Sequence, residues 1–175
     1  RQVLYTEDEI GLSKALQAQK RLQALNHDIR INAYPTRLTK ENAASLIANY
    51  DIVVDGCDNF TTRYIINDAC AHWGRPYVYG AILAFEGQVS VFNYQGGPDY
   101  RTLYPDEEEM LAMPAPFKGV LGVTPGVIGC MEANEVMKII GGYGEVLSGK
   151  LWQIDLRTME SYTIMSKKRQ HSGME

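Results

Sequence analysis

Apolar and polar positions along this chain repeat with two different periods, and the switches between them mark out its elements. Over residues 11–26, Leu12, Ala15, Leu16, Leu22 and Leu25 fall near one face of a helical repeat while Lys20, Arg21 and Gln23 point away, which predicts an amphipathic helix. Residues 28–34 alternate polar and apolar side chains up to Pro35 and predict a short strand closed by a breaker. Thr39 is placed to cap a helix running to about Asn49. The β-branched run Ile52, Val53, Val54, followed by Asp55 and Gly56, has the character of a strand buried on both faces of a parallel sheet. Asp58 or Asn59 then opens a helix with Ile65, Ile66, Ala69, Cys70 and Trp73 on its inner stripe, stopped by Gly74, Arg75 and Pro76. A further apolar strand over residues 77–80 completes a strand–helix–strand order, the signature of an α/β unit with right-handed crossovers.

The second half changes period. Residues 86–94 alternate in the manner of an antiparallel or mixed edge strand. Residues 96–118 are polar, carry four prolines and the acidic run 106–109, and read as a mobile loop or lid with one short helix. Thr124 and Pro125 suit the N-cap and first turn of a helix over about 127–140, stopped by Gly141 and Gly142. Residues 150–156 and 161–165 predict a hairpin around Arg157, Thr158, Met159 and Glu160. No internal repeat is visible, and one α/β domain over residues 1–175 is expected.

Composition narrows the function classes. With 45% hydrophobic and 22% charged residues the chain has globular composition. No stretch approaches the roughly 20 apolar residues of a membrane span and the start lacks a signal pattern, so a soluble, cytoplasmic protein is expected. A net charge of −4 argues against nucleic acid as the main partner. The basic cluster Lys167, Lys168 and Arg169 reads as a solvated tail. Cys57, Cys70 and Cys130 are far apart and never spaced as CxxC, so neither a disulfide framework nor a zinc site is encoded. All three are expected to be reduced thiols, with Cys130 packed inside its helix.

The chemistry concentrates at residues 55–63. Asp55, Asp58 and Asn59, followed by Arg63, stand where a parallel strand meets a helix N-terminus, the edge at which open α/β sheets bind ligands. A carboxylate there can hold a magnesium ion on nucleotide phosphates, or Asp58 can simply cap the helix; the pattern alone leaves both readings open. Lys14, in the first turn of its helix, could reach a polyphosphate or could be an ordinary surface lysine.

Six segments in order resemble the MoeB/ThiF/HesA adenylyltransferases. They are Arg1-Gln2; residues 11–15 around Lys14; the 55–59 motif with Arg63; Gly80-Ala81 with residues 86–89; residues 100–105; and the glycine- and valine-rich run 119–129. The resemblance implies a Rossmann-like three-layer fold with mixed or antiparallel strands in its C-terminal half. It implies ATP-dependent adenylation of the C-terminal glycine of a ubiquitin-like sulfur-carrier protein ending in Gly-Gly, serving thiamin or molybdopterin synthesis. By carry-over, Arg1 and Lys14 would contact the phosphates, Asp58 would position Mg2+, and Asn59 would shape the nucleotide pocket. The family's glycine-rich phosphate loop lies upstream of the Arg-Gln pair, so the chain is expected to be a fragment that binds ATP poorly. Position 102 is Thr102 where many members begin a CxxC pair, so structural zinc is not expected. Residues 114–119 hold no cysteine where some members place a reactive one, so sulfur is expected from a separate cysteine desulfurase or rhodanese-like protein. Homodimerisation is a further expectation. Three alternatives stay open: a relative adenylating a small carboxylate, peptide or tRNA nucleoside; a non-catalytic binding scaffold; and a dinucleotide-dependent dehydrogenase, for which no GxGxxG is visible.

Overall fold

The computed structural model describes residues 2–114 and 119–166. Arg1 and the basic cluster at 167–169 lie outside the described residues, as do 115–118 of the expected lid. The chain divides into two units, Arg1–Arg37 and Leu38–Glu175.

In the first unit, a single helical turn over Glu7–Glu9 is closed by a capping box in which the Thr6 N–H donates to Glu9 Oε2 at 2.8 Å. Helix α1 (Lys14–Leu25) follows, after Ser13, within the predicted span. Its apolar face is uncovered: Leu12, Leu16, Leu22 and Leu25 are all exposed, and no described residue of this unit is buried. The strand predicted over 28–34 does not form. The carbonyls of Ile29 and Ile31 accept from the side-chain amides of Gln23 and Gln19 at 3.2 and 2.5 Å, so the extended segment is tied to the helix and joins no ladder.

The second unit is built on a five-stranded sheet whose strands lie in sequence order: β1 (Val53–Val54), β2 (Tyr77–Leu83), β3 (Glu86–Phe92), β4 (Lys150–Asp155) and β5 (Glu160–Met165). Only β1 and β2 run parallel; the remaining pairs are antiparallel, and β4–β5 is the predicted hairpin. Two expectations about strands fail for the same reason, position in the sheet. Among the described residues β1 has one neighbour, and Val54 is 48% exposed, so the strand is not buried on both faces. β3 is central, so Val89, Ser90, Val91 and Phe92 are all buried and its alternating pattern hides two covered faces.

Helices cover both faces. Because side chains alternate along a strand, Tyr77 and Tyr79 of β2 with Phe92 of β3 face one side. There they meet α2 (Lys40–Ile47), α3 (Phe60–Trp73) and α4 (Tyr100–Leu103) in a core that contains Ala43, Ile47, Tyr64, Ile66, Cys70 and Tyr100. Its rings meet edge-on or tilted; Tyr64 and Tyr100 are 5.1 Å apart at 76°, and Tyr79 and Phe92 are 5.5 Å apart at 50°. The segment expected to be a mobile lid is therefore anchored at its base. Tyr100 is wholly buried, its N–H donates to Asn67 Oδ1 at 2.9 Å, and Arg101 forks onto both oxygens of Asp68 at 2.8 Å each. It also holds two short helices, not one. The acidic run opens α5 (Glu107–Ala112), with Asp106 accepting from the Glu109 N–H and three glutamates in the first turn, where the helix dipole favours negative charge.

On the opposite face α6 (Thr124–Gly141) packs against β2 and β3, giving the three layers expected of the fold class. Pro125 stands in its first turn and Gly142 ends it at φ 62°. Thr124 is inside the helix, not its cap, and donates to the Ala84 carbonyl of the β2–β3 turn at 3.3 Å. Two glycines let the helix approach closely. Ile128 lies over Gly87 of β3, and Glu132, one turn on, lies over Gly80 of β2. The Gly87→Ala substitution would put a Cβ 2.4 Å from Ile128 Cδ1. Urea unfolding is expected to show a loss of about 1–3 kcal/mol for this overpacking, partly recovered in the double variant with Ile128→Val.

Candidate active site

At the carboxyl end of β1 the chain turns through residues 55–59 into α3, and the hydrogen bonds of that turn are mostly local. Asp55 points inward and is 4% exposed. Its Oδ2 accepts from Arg63 Nε at 2.9 Å and from the Tyr77 hydroxyl at 3.0 Å; its Oδ1 accepts from the Cys57 N–H and thiol, both at 2.8 Å. Arg63 stands one helical turn inside α3, and its Nη2 donates to the carbonyls of Cys57 and Gly80 at 3.0 and 3.2 Å. The Gly80 carbonyl points to the same side as that of Val78, which takes the Asp55 N–H at 2.8 Å; beyond the end of β1 the guanidinium replaces the missing strand. Arg63 also lies over the Tyr79 ring, 5.3 Å from its centroid.

These contacts set the electrostatics of the turn. Burial lowers the proton affinity of the Arg63 guanidinium, but the adjacent Asp55 carboxylate outweighs it and holds the group charged far above its ordinary value. Burial first, and the Asp55 charge second, push the Cys57 thiol up to about 12, so it is not a thiolate at neutral pH. Burial alone pushes Cys70 up to about 12 as well. Cys130, expected to be packed, is exposed on the outer face of α6.

The two carboxylates of the motif thus differ in kind. Asp55 is consumed by the scaffold. Asp58 is exposed, three residues along, and accepts from Asn59 Nδ2 at 3.3 Å. Asn59, not Asp58, is the cap of α3: its Oδ1 accepts the Thr62 N–H at 2.9 Å. Asp58 and Asn59 are brought together at this helix N-terminus. Lys14 belongs to the first unit, where its ammonium donates to Gln2 Oε1 at 2.8 Å and lies 5.7 Å from the Tyr5 ring centroid. Arg1 lies outside the described residues. Among the described residues no group of three or more His, Cys, Asp or Glu side chains could form a metal cage, and no helix is long and apolar enough to cross a membrane. One exposed carboxylate beside a helix N-terminus fits magnesium, which binds through one or two carboxylates together with phosphate oxygens and water.

Reading the sequence missed two buried acids on α6. Glu135, 1% exposed, pairs with Lys138 and accepts the Leu147 N–H at 2.9 Å, fastening the loop before β4. Glu132, 7% exposed, has no hydrogen-bond partner for its Oε1 among the described residues. The available signal was their spacing with Ile128, which places all three on one helix face.

A sheet covered by helices on both faces, with a paired aspartate at the end of its parallel strand and an exposed carboxylate at the next helix start, defines a three-layer, Rossmann-type α/β fold. The chain belongs to the ThiF family, which it matches over residues 1–174. It is 49% identical over 161 residues to the sulfur carrier protein adenylyltransferase of Thermus thermophilus, covering 89% of this chain and 59% of that protein. It is 41% identical over 165 residues to the SAMP-activating enzyme E1 of Haloferax volcanii, covering 94% of this chain and 61% of that protein. Among solved structures, E. coli MccB with ATP superimposes with a TM-score of 0.78 at 20% identity, over 96% of this chain and 52% of MccB, a likeness of fold. The chain thus spans little more than half the length of these relatives.

If Asp55 and Arg63 are a scaffold pair, breaking it strands a buried charge. The Arg63→Met variant is expected to lose roughly 3–5 kcal/mol in denaturant unfolding. A loss within about 1 kcal/mol, the worth of an exposed pair, would show that Asp55 is solvated.

Proposed function

We propose that this chain is the catalytic part of an enzyme that adenylates the C-terminal glycine of a ubiquitin-like sulfur-carrier protein, using ATP. The observation that carries the reading is the division of the 55–59 turn into one buried, paired aspartate and one exposed aspartate at a helix start. The names of relatives 41–49% identical supply the reaction class. In this reading the carrier's carboxylate attacks the α-phosphorus of ATP, an acyl-adenylate forms and pyrophosphate leaves. Little covalent work falls to the protein, and its residues act by position and charge.

Asp58 would hold magnesium, and Asn59, fixed by capping α3, would border the nucleotide. When bound, the ion would supply charge neutralisation to the phosphates. The resemblance gives Lys14 and Arg1 the phosphates as well. Cys57 and Cys70 are both protonated at neutral pH, and the reading takes sulfur from a separate cysteine desulfurase or rhodanese-like donor. A carrier of the thiamin or the molybdopterin pathway, and a homodimeric enzyme acting in the cytoplasm, complete the proposal.

The test is carrier-dependent ATP–pyrophosphate exchange by the full-length protein, with a panel of carriers ending in Gly-Gly. Exchange with one carrier, reduced on the order of 100-fold by Asp58→Ala, is the expected result. ATP binding without exchange on any carrier would overturn the reading.

A further inference from the structure

Glu132 has no place in the adenylation reading, yet it approaches the same residue that Arg63 does. Its carboxyl lies over Gly80 where a side chain would otherwise be: a Cβ built on that glycine would fall 2.4 Å from Glu132 Cδ and 2.6 and 2.7 Å from its two oxygens. The carbonyl of this glycine is held by Arg63 Nη2, which also holds the Cys57 carbonyl inside the 55–59 turn. Glu132 is only 7% exposed, and among the described residues its Oε1 meets no donor. An unpaired carboxylate in such a place is costly, and a neutral carboxyl is not.

The groups that face it can be named. Asp55, at the end of β1, repels its charge, and Arg63, from α3, attracts it. β3 turns Gly87, Val89 and Val91 toward α6, and none of them titrates. β2 presents Val78 and Gly80 on this face, while Tyr77 and Tyr79 belong to the core on the other. On α6 itself, Glu135 is taken up by Lys138 and the Leu147 N–H.

We propose that Glu132 is a proton-controlled positioning residue: neutral, it leaves Arg63 to Asp55 and the 55–59 turn, and ionised, it competes for the guanidinium and loosens the turn that carries Asp58 and Asn59. The geometry supplies the route. Nη2 bridges Gly80 to Cys57, so a charge drawing it toward the Gly80 side weakens the hold on Cys57 first. Burial, and after it the Asp55 charge, raise the Glu132 carboxyl to about 8 from an ordinary 4.5, against the pull of Arg63. The sign follows. The folded protein keeps this proton where the unfolded chain has lost it, so the stabilisation is complete below about 4.5, declines as pH rises toward 8, and is gone above it.

The role assigned to Asp58 rests on the adenylation reading, whereas the test reads only the proton and the turn, so the two can fail separately. In the full-length protein, the midpoint of thermal unfolding is followed from pH 5 to 9 for the parent and for Glu132→Gln. The parent is expected to lose stability relative to the variant steadily up to about pH 8 and to run parallel to it above. Carboxyl 13C NMR of the unaltered protein should show Glu132 titrating well above the other glutamates. Above that pH, amide exchange at residues 57–62, corrected for intrinsic rate, should quicken in the parent only. A Glu132 carboxyl titrating near 4.5, parallel melting curves across the whole range, or equal quickening in both proteins would overturn the proposal.

Discussion

The second unit depends on one buried ion pair. Asp55 and Arg63 lie eight residues apart and join the end of an edge strand to the first turns of α3. A pair this enclosed must pay for its own desolvation, and further hydrogen bonds to both of its members offset that cost. Tyr77 and Cys57 complete the carboxylate, and the carbonyls of Cys57 and Gly80 complete the guanidinium. The two-residue strand β1 could not otherwise define where α3 begins, since a strand of that length has almost no ladder of its own. With the pair in place the turn between them is tied at both ends, and Asp58 and Asn59 are presented at its rim.

This division of labour explains how much of the site was legible beforehand. The motif at 55–63 stood out because two acids, an amide and an arginine meet at a strand-to-helix boundary, and the structure puts all four at that boundary. What spacing could not reveal was which acid turns inward. Asp55 continues the strand's alternation and lands on the covered side; Asp58 sits in the turn, where no alternation applies. The helices were legible because their caps and stripes are local: Asn59 and Gly74 bound α3, and Gly142 bounds α6. Errors collected wherever the answer lay in a neighbour far along the chain. β3 is central because β4 returns from residue 150 to cover it, and nothing within residues 86–94 records that. Residues 28–34 alternate like a strand but find side-chain amides instead of a ladder. Tyr100 looked like the start of a polar loop, yet it fills the aromatic core.

The opposite face repeats the theme of close approach. Glycines at 80 and 87 admit Ile128 and Glu132, residues one helical turn apart, to two positions of neighbouring strands. The rise of a helical turn and the step between same-face strand residues are both roughly 6 Å, so one helix face can meet both gaps at once. An acid was accepted at the second gap although nothing among the described residues donates to its Oε1. Glu132 and Arg63 therefore meet the same glycine from the two helical layers, and the electrostatics of the turn answer to both. Family membership, the layered fold and the paired turn together make the 55–59 segment the place where sequence, packing and chemistry coincide.

Asp55 holds the turn from inside, and the role proposed for Asp58 is exercised from its rim. The direct measurement compares Asp55→Asn with Asp58→Asn in the full-length protein, recording thermal unfolding with and without Mg2+ and ATP. Asp58→Asn is expected to melt with the parent but gain no stabilisation from the nucleotide, while Asp55→Asn is expected to melt well below both. An Asp58→Asn variant that keeps the full nucleotide-dependent rise, or an Asp55→Asn variant that melts with the parent, would contradict this division of roles.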